Sequence, residues 1–547
     1  MRARVFRHWR AKTAVVLLLG LSLTHAGCFA DETPATYYGK IIVPRSQEFR
    51  WSDGGLPQTF DPAFAAAPPD TDAVRALFEG LTDYDPKTLA PVPGVATRWE
   101  PSADNRVWTF YLREDARWSN GDRVTASDFV RSWERTVRIG PLAPHTELLS
   151  NIQAAPDVDH GTTSASPERA SPRLAVEAVN DGILRVHLRQ PDPAFPSLVA
   201  HPVFRPVKIS QATETRRLEG RDLVFNGAFF LAGTQPDRVL LERAKTYWDG
   251  DSVSLQRVAF VNASNAEVAL AAYHSGEIDA VTSAPFEPLA LKLLTPYKDF
   301  RRSTFGALTY YSFNVAHAPF DDVRVREALA ISIDRERVSR NDLGGATEAA
   351  GKFLPDEMSA AEPVVGKTDM LEQDVESARK LLAEAGFPDG EGFPVVRLLI
   401  NRNEQQKIVA QSIAAMWLSV LKIRTEINIK NWDEYEASLR LGDYDVVRRG
   451  VVMQTPDELT NLRLLFQTDQ AISPTNAANQ SATPERGTTG AIESQSQALK
   501  ELKAMPIYFA SSYSLCKPYV SGFDLNVLDA PSLKRTRINT AWTAPKP

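Results

Sequence analysis

Hydrophobic residues recur at helical spacing in one early segment of the chain. The segment "DTDAVRALFEGL" (70–81) places Val74, Leu77, Phe78 and Leu81 at i, i+3, i+4 and i+7, which is the spacing of one helical face. This pattern predicts an amphipathic helix that buries one side.

The next segments change period and predict a strand, a turn and a second helix. Residues 106–114, "RVWTFYLRE", alternate as the two faces of a strand do. "SNGD" (119–122) is typical of a turn. Thr125 and Asp128 then have the spacing of a capping box ahead of "FVRSWERTV", in which Phe129 and Trp133 share one helical face.

The same reading extends to the rest of the chain. Residues 174–191 predict a hairpin that turns at "NDG", and residues 393–432 predict a strand, a helix and a strand in βαβ order. Further strands are predicted in "YYGKIIVP" (37–44), "QEFRWSD" (47–53) and "DRVLLERAKTYW" (237–248). Further helices are predicted in "NAEVALAAYHS" (265–275), "DDVRVREALAISIDRERV" (321–338) and "VESARKLLAEAGF" (375–387). The segment 467–497 is rich in Ser, Thr, Ala, Asn and Gln and predicts a flexible loop.

The N-terminus has the organisation of a secretory signal. A basic segment precedes a short apolar run, "AVVLLLGLSL", and small residues follow, so residues 1–27 are predicted to be a signal peptide rather than a membrane anchor. "HAGC" resembles a lipobox and makes Cys28 a candidate for lipidation, although His25 stands where Leu is usual. Ordinary cleavage near Ala30 is the alternative. The protein is therefore expected to be exported, in the periplasm or cell envelope.

Composition narrows the function classes. With 547 residues the chain is long enough for two or three domains. The formal net charge of −6 argues against a general nucleic-acid binder, because phosphate affinity depends on Lys and Arg. Cys28 and Cys516 are the two cysteines, so lipidation of Cys28 would leave no intramolecular disulfide.

The sequence offers no recognisable catalytic site. The eight histidines are scattered, and no metal-binding, phosphate-binding or nucleophile motif appears, so neither a metal nor a cofactor is expected. His274 lies near Glu277 and Asp279, but the preferred interpretation is a histidine at a helix end beside solvated carboxylates. A secreted hydrolase is thus the weakest hypothesis, and binding is favoured.

Several blocks, in order, resemble the extracellular solute-binding proteins of family 5. They include "RALFEGLTDYDPKTLAPVPGVATRWEPSADNRVWTFYLREDARWSNGDRVTASDFVRSWERT", "YHSGEIDAV", "TYYSFNVAHAPFDDVRVREALAISIDRERV" and "NWDEYEASLRLGDYDVVRRG". The resemblance covers roughly residues 50–465 and is greatest to the oligopeptide-binding proteins of ABC importers. It implies an α/β fold of the periplasmic-binding-protein type (class II, cluster C), with two hinged lobes plus an extra lobe.

The resemblance also implies lobe boundaries. Lobe I would comprise residues 28–73, 206–306 and 505–547, lobe II residues 74–205, and lobe III residues 307–504. Trp108, Trp118 and Trp133 would be packing residues of lobe II rather than ligand contacts.

Six ligand-binding positions follow from the resemblance. They are Trp432, Arg448, Val451, Gln454, Ala66 and His145. The chain departs from the family at several of them. Gln454 replaces the aspartate that pairs with a peptide's α-amine, and Asp457 is the candidate substitute. Ala66 replaces an acid, and His145 replaces a tyrosine. Ala307 and Val452 replace two cysteines that form a disulfide in relatives.

The expected function is peptide binding for an ABC permease. The protein would act as a monomer, without enzymatic activity or nucleic acid, and a lipid on Cys28 would attach it to the membrane. The altered positions leave two alternatives open: a surface interaction or sensing module of the same fold, or a binder of a different organic solute.

Overall fold

The structure is a computed structural model in which residues 37–155, 173–209, 216–263, 265–358, 370–470, 492 and 494–544 are described. The predicted signal peptide and Cys28 lie outside these residues. So does most of the segment 467–497, although both of its ends belong to helices, Glu458–Gln470 and Gln495–Glu501.

Nineteen strands are assigned within the described ranges. They are β1 (Glu48–Asp53), β2 (Thr82–Tyr84), β3 (Pro91–Pro93), β4 (Ala96–Pro101), β5 (Val107–Leu112), β6 (Val176–Asn180), β7 (Ile183–His187), β8 (Phe229–Gln235), β9 (Arg238–Arg243), β10 (Arg257–Val261), β11 (Ala280–Thr282), β12 (Phe300–Phe313), β13 (Thr347–Ala349), β14 (Val396–Asn401), β15 (Thr425–Lys430), β16 (Val446–Val452), β17 (Ala504–Cys516), β18 (Val520–Ser521) and β19 (Arg537–Ile538).

Helices connect many of these strands. The α-helices are Asp70–Leu77, Ala126–Ile139, Phe195–Leu198, Ala266–Ser275, Pro288–Leu294, Val323–Ile331, Arg335–Arg337, Val375–Glu384, Glu404–Leu421, Trp432–Leu441, Glu458–Gln470 and Gln495–Glu501. Short 3₁₀ turns occupy Gly140–Leu142, Thr146–Leu149, Pro202–Phe204, Gly220–Asp222, Gly250–Ser252, Asp356–Met358 and Pro388–Gly390, and a π-turn occupies Val338–Asp342.

One 11-stranded sheet runs through the molecule in the order β15-β14-β16-β12-β17-β11-β1-β10-β9-β8, with β13 also paired to β17. The two long antiparallel strands β12 and β17 join its two halves. Their pairing shifts register between Thr304 and Leu308, which marks an irregularity at the junction of the halves.

Each half of the sheet has a core of its own, and a third cluster connects them. Phe49, Trp51 and Phe260 pack in the first half, whereas Val396, Leu398 and Ile413 pack in the second. The third cluster brings Tyr84 and Leu308 together, so the two halves also touch through buried residues.

A four-stranded sheet, β4-β5-β7-β6, packs with the helix Ala126–Ile139 beside the first half. Trp108, Trp118 and Trp133 are each at most 4% exposed in this region, so their predicted packing role is confirmed. The predicted capping box is confirmed too, since Thr125 and Asp128 bond reciprocally at the start of the helix.

Two other local predictions have different outcomes. The βαβ unit is confirmed, because β14 and β15 pair in parallel on either side of the helix Glu404–Leu421. The strand predicted in residues 37–44 is wrong. The amide of Lys40 donates to the carbonyl of His274 (2.8 Å) and that of Tyr38 donates to Asp299, so a helix end and a side chain replace a strand partner.

Ala307 and Val452 lie directly opposite each other on β12 and β16. This register agrees with the inference that they occupy the positions of a disulfide in relatives. Directly opposed residues bring their Cβ atoms within about 4.5–5.5 Å, close to the range that a disulfide needs.

We therefore expect the double substitution Ala307→Cys and Val452→Cys to form a disulfide, measured by thiol alkylation and mass spectrometry. Burial raises the pKa of the Cys516 thiol to about 12, so this thiol should not compete for oxidation. Ala307→Cys alone is the control and should keep a reactive thiol. Alkylation of both introduced thiols in the oxidised double variant, located by mass spectrometry so that Cys28 is counted apart, would contradict the register.

Candidate ligand-binding cleft

A cavity of about 350 Å³ lies where the two halves of the sheet meet. Its walls come from residues 66–68 and the following helix on one side and from residues 452–454 on the other, with residues 511–513 of β17 between them. Its volume is within the range typical of small-molecule sites, and such sites occur preferentially between domains.

The loop that carries Ala66 is anchored by a buried ion pair. Arg135 donates from Nη1 to Asp61 Oδ1 (3.0 Å) and from Nη2 to Asp61 Oδ2 (2.6 Å). The side chains of Arg135 and Asp61 are 1% and 0% exposed. The amide of Leu218 also donates to Asp61, at 2.9 Å. The two parallel hydrogen bonds of this pair hold the loop in one position, and the charge of Arg135 compensates that of Asp61.

Hydrogen bonds and a ring contact connect three predicted site residues: Ala66 and Gln454, which line the cavity, and His145, which lies behind its wall. His145 Nε2 lies 2.9 Å from the carbonyl oxygen of Ala66. The ring of His145 packs edge-on against that of His201, with ring centroids 4.9 Å apart. His201 Nε2 lies 3.1 Å from Gln454 Oε1. Ala66, His145 and Gln454 are thereby brought together from three distant parts of the chain.

His201 was not among the predicted site residues, yet it connects them. Its Nδ1 accepts from the amide of Val203 (3.2 Å), so its Nε2 carries the hydrogen and donates to Gln454. Burial first, and then the neighbouring His145 and Arg75, hold the pKa of His201 well below its usual value. His201 is therefore a neutral hydrogen-bond donor at the cavity. Its sequence context, "LVAHPVF", carried no signal of this role.

The other three predicted residues form a separate group on the second half. Trp432 starts the helix Trp432–Leu441, is 60% exposed and stacks on Tyr435, with ring centroids 5.5 Å apart. Tyr435 in turn donates its hydroxyl to the carbonyl of Arg448, and Arg448 Nη2 lies 3.3 Å from Thr309 Oγ1. Val451 is partly buried on the same strand. None of Trp432, Arg448 and Val451 lines the cavity.

Asp457, the candidate substitute for the lost amine-binding aspartate, does not line the cavity either. Its Oδ2 accepts from the amide of Thr460 (2.7 Å) near the start of the helix Glu458–Gln470. This contact is typical of helix capping. A different carboxylate, Asp529, lines the cavity and was missed because "NVLDAP" contains no motif.

Within the described ranges, no group of three or more His, Cys, Asp or Glu side chains is placed to hold a metal ion. No described helix combines the length and apolar character required to cross a membrane.

Comparison with known proteins identifies the family. The model of the "Bacterial extracellular solute-binding proteins, family 5 Middle" matches residues 90–473. The periplasmic murein peptide-binding protein MppA of Escherichia coli is 31% identical over 550 residues, covering 97% of this chain and 99% of the relative. The periplasmic oligopeptide-binding protein OppA of Haemophilus influenzae is 30% identical, covering 88% of this chain and 93% of the relative.

Solved structures agree with the fold and indicate its conformation. The unliganded open form of MppA matches with a TM-score of 0.74 at 30% identity, covering 91% of this chain and 98% of that one. A second structure of Escherichia coli MppA matches with a TM-score of 0.63 at the same identity, covering 91% and 99%. Haemophilus influenzae OppA in complex with the peptide RPPGFSPFR matches with a TM-score of 0.62 at 28% identity, covering 91% and 100%.

At equal identity, the backbone of this chain is more similar to the unliganded open form of MppA than to the second MppA structure. The predicted periplasmic-binding-protein fold is confirmed. The family match spans more than half of the chain and the relatives match it almost from end to end. This chain is a member of the bacterial extracellular solute-binding proteins of family 5.

Proposed function

We propose that the protein is the substrate-binding component of an ABC importer, which captures oligopeptides between its lobes and delivers them to a membrane permease. The observation that carries this proposal is the cavity of about 350 Å³ lined by both halves of the sheet. The names of two relatives support peptides as the ligand class, since MppA binds murein peptide and OppA is solved with a bound peptide.

Closure of a hinge is the proposed mechanism. Lobe I would comprise residues 28–73, 206–306 and 505–547, lobe II residues 74–205, and lobe III residues 307–504. The strands β12 and β17 would bend near the irregularity between Thr304 and Leu308. In the open arrangement Trp432 is 60% exposed, and closure on a ligand would cover it.

Binding, and not bond formation, is the proposed activity. The family consists of solute-binding proteins, and the residues around the cavity supply hydrogen bonds and charge. We further propose that the protein acts as an exported monomer in the periplasm or cell envelope. A lipid on Cys28 would attach it to the membrane if that residue is acylated.

One observation favours a second candidate, a binder of a different organic solute. Gln454 stands in place of the amine-binding aspartate, and the neutral His201 already occupies its Oε1. A ligand without an ammonium group would suit this pair of residues. The remaining alternative, a surface sensing module without transport, is less well supported. A protein that no longer captured a ligand would not need a cavity lined by both halves of the sheet.

Native mass spectrometry of the purified protein, followed by calorimetric titration with di- to pentapeptides, tests the proposal. We expect a bound peptide in the first measurement and saturable binding, with a change in tryptophan fluorescence, in the second. Because Ala66 is exposed at the cavity wall, Ala66→Trp should fill the cavity without disturbing a core and weaken binding by about tenfold or more.

Ala383→Trp is the matched control, since Ala383 is also exposed but lies on the helix Val375–Glu384, away from the cavity. Ala383→Trp should bind the peptides with the same affinity as the unmodified protein. If no peptide in the set bound and the purified protein retained a non-peptide compound, the second candidate, a binder of a different organic solute, would be the better assignment. Unchanged affinity in Ala66→Trp would place the ligand elsewhere.

A further inference from the structure

Asp529 presents a carboxylate to the cavity without a counterion of its own. The residue is 9% exposed and belongs to the cavity lining. Ser512 donates its hydroxyl to Asp529 Oδ1 at 2.9 Å. In the part of the chain that the structure describes, Oδ2 has no hydrogen-bond donor, so this oxygen remains available to a ligand.

Two further buried carboxyl groups, Asp53 and Asp72, interact electrostatically with Asp529. Asp53 is 1% exposed and Asp72 is 3% exposed. Asp53 Oδ1 accepts from Thr282 Oγ1 at 2.7 Å. Asp53 Oδ2 is buried and accepts from no amide or hydroxyl group among the described residues. Asp53 and Asp72 interact through a side-chain hydrogen bond that lowers the pKa of Asp53 and raises that of Asp72, so a proton held by Asp72 can bridge the two carboxyl groups.

Among the described residues, Arg75 is the cation that interacts with all three acids. Arg75 Nη1 lies 3.1 Å from Asp72 Oδ1, and Arg75 also lines the cavity. The neighbouring cations are engaged elsewhere: Arg205 contacts Asp83, and Lys534 contacts Asp83 and Glu79. His201 is neutral, as argued above. The Asp53–Asp72 pair and Asp529 therefore carry more negative charge than Arg75 offsets, and Asp529 is the acid of this group that lines the cavity.

The shifted pKa values of these acids show how their charge is distributed. Burial raises the pKa of Asp53, and burial together with the charge of Asp53 raises the pKa of Asp72 well above its usual value. For Asp529, burial and then the charge of Asp53 raise the pKa to about 6. At neutral pH Asp529 is thus ionised, and Arg75 alone does not neutralise the group.

We propose that Asp529, supported by Asp53 and Asp72, forms a subsite for a primary ammonium group of the ligand. The proposal rests on the proposed function, peptide capture in this cavity. It places the amine-binding carboxylate on the C-terminal segment. The family resemblance aligns Gln454 with the usual amine-binding position, and Gln454 lines the same cavity. The ammonium can come from the α-amine of a peptide or from a lysine-like side chain.

Titration calorimetry at pH 7.5 with four defined peptides tests the subsite: Ala-Ala-Ala, N-acetyl-Ala-Ala-Ala, Ala-Lys-Ala and N-acetyl-Ala-Lys-Ala. We expect peptides with an ammonium group to bind about tenfold or more tightly than N-acetyl-Ala-Ala-Ala. Asp529→Asn, which retains an acceptor for Ser512, should remove this preference. Tight binding of N-acetyl-Ala-Lys-Ala would assign the subsite to a side-chain ammonium, and weak binding would assign it to the α-amine.

Asp524→Asn is the matched control. Asp524 lies five positions earlier in the chain and pairs with Arg301 on the surface, so its removal deletes the same charge outside the cavity. This variant should keep the preference, and thermal unfolding should confirm that both variants fold. Retention of the preference in Asp529→Asn, or its absence in the unmodified protein, would overturn the subsite and leave peptide binding intact. Failure of all four peptides and of the wider peptide set would instead overturn the proposed function.

Discussion

Substitution of Arg135 by Met is expected to lower the free energy of unfolding by about 3–5 kcal/mol, the range for removing one partner of a buried ion pair. The reason is the environment of Asp61, whose side chain is 0% exposed. Without Arg135 this carboxylate would keep the amides of Leu218 and Ala63 as donors but no opposite charge. Urea denaturation followed by tryptophan fluorescence measures the change.

Arg131→Met is the matched control on the same helix. Arg131 pairs with Asp128 at 2.7 Å, but its side chain is 54% exposed, so its loss should cost about 1 kcal/mol or less. Adding Asp61→Asn to Arg135→Met should recover part of the stability, because it removes the uncompensated charge. Equal stabilities of Arg135→Met and Arg131→Met would contradict the assignment of this pair as the anchor of the cavity loop.

Elements with a local signal could be predicted from the sequence. The helix Ala126–Ile139 begins where Thr125 and Asp128 predicted it, because a capping box acts over four residues. The hairpin of β6 and β7 likewise follows from the turn residues between them. Such features depend on neighbours in the chain and need no knowledge of the fold.

The site depends on contacts that have no local signal. Ala66, His145 and Gln454 were predicted from the family resemblance, whereas His201, which joins them, and Asp529, which faces them, were not. Asp529 lies more than 400 positions from its neighbours Asp53 and Asp72, so no spacing in the sequence relates them. The strand predicted for residues 37–44 was wrong for the same reason. The amide of Lys40 bonds to the end of a distant helix instead of to a neighbouring strand, and the local sequence does not show this.

The six predicted residues divide into two groups. Ala66, His145 and Gln454 are connected through His201, whereas Trp432 and Arg448 are connected through Tyr435 on the second half. The proposed hinge closure would bring the second group toward the ligand. The separation of the groups is thus what a protein poised to close is expected to have before it binds.

Asp529→Asn is expected to stabilise the ligand-free protein at pH 7, by an amount on the order of 2 kcal/mol. The pKa of Asp529 is raised from an ordinary 3.8 to about 6, so at pH 7 the folded protein carries a charge that burial and Asp53 disfavour. Arg75 and the hydrogen bond from Ser512 offset this penalty in part. Asparagine carries no charge and keeps the acceptor that Ser512 uses.

The sign of the effect fixes its dependence on pH. A carboxyl whose pKa is raised by folding destabilises the folded state above that pKa, and this penalty disappears as the pH falls from about 6 towards 3.8. The advantage of Asp529→Asn in thermal unfolding should therefore be largest at pH 7 and small near pH 4, after co-purified ligand has been removed by unfolding and refolding. Asp524→Asn, which breaks an exposed pair, should show no such gain.

An equal advantage at both pH values, or a loss of stability at pH 7, would mean that Asp529 is not held as an uncompensated charge. A gain in stability combined with the loss of ammonium preference would mean that the protein keeps a destabilising carboxylate because its ligand neutralises it.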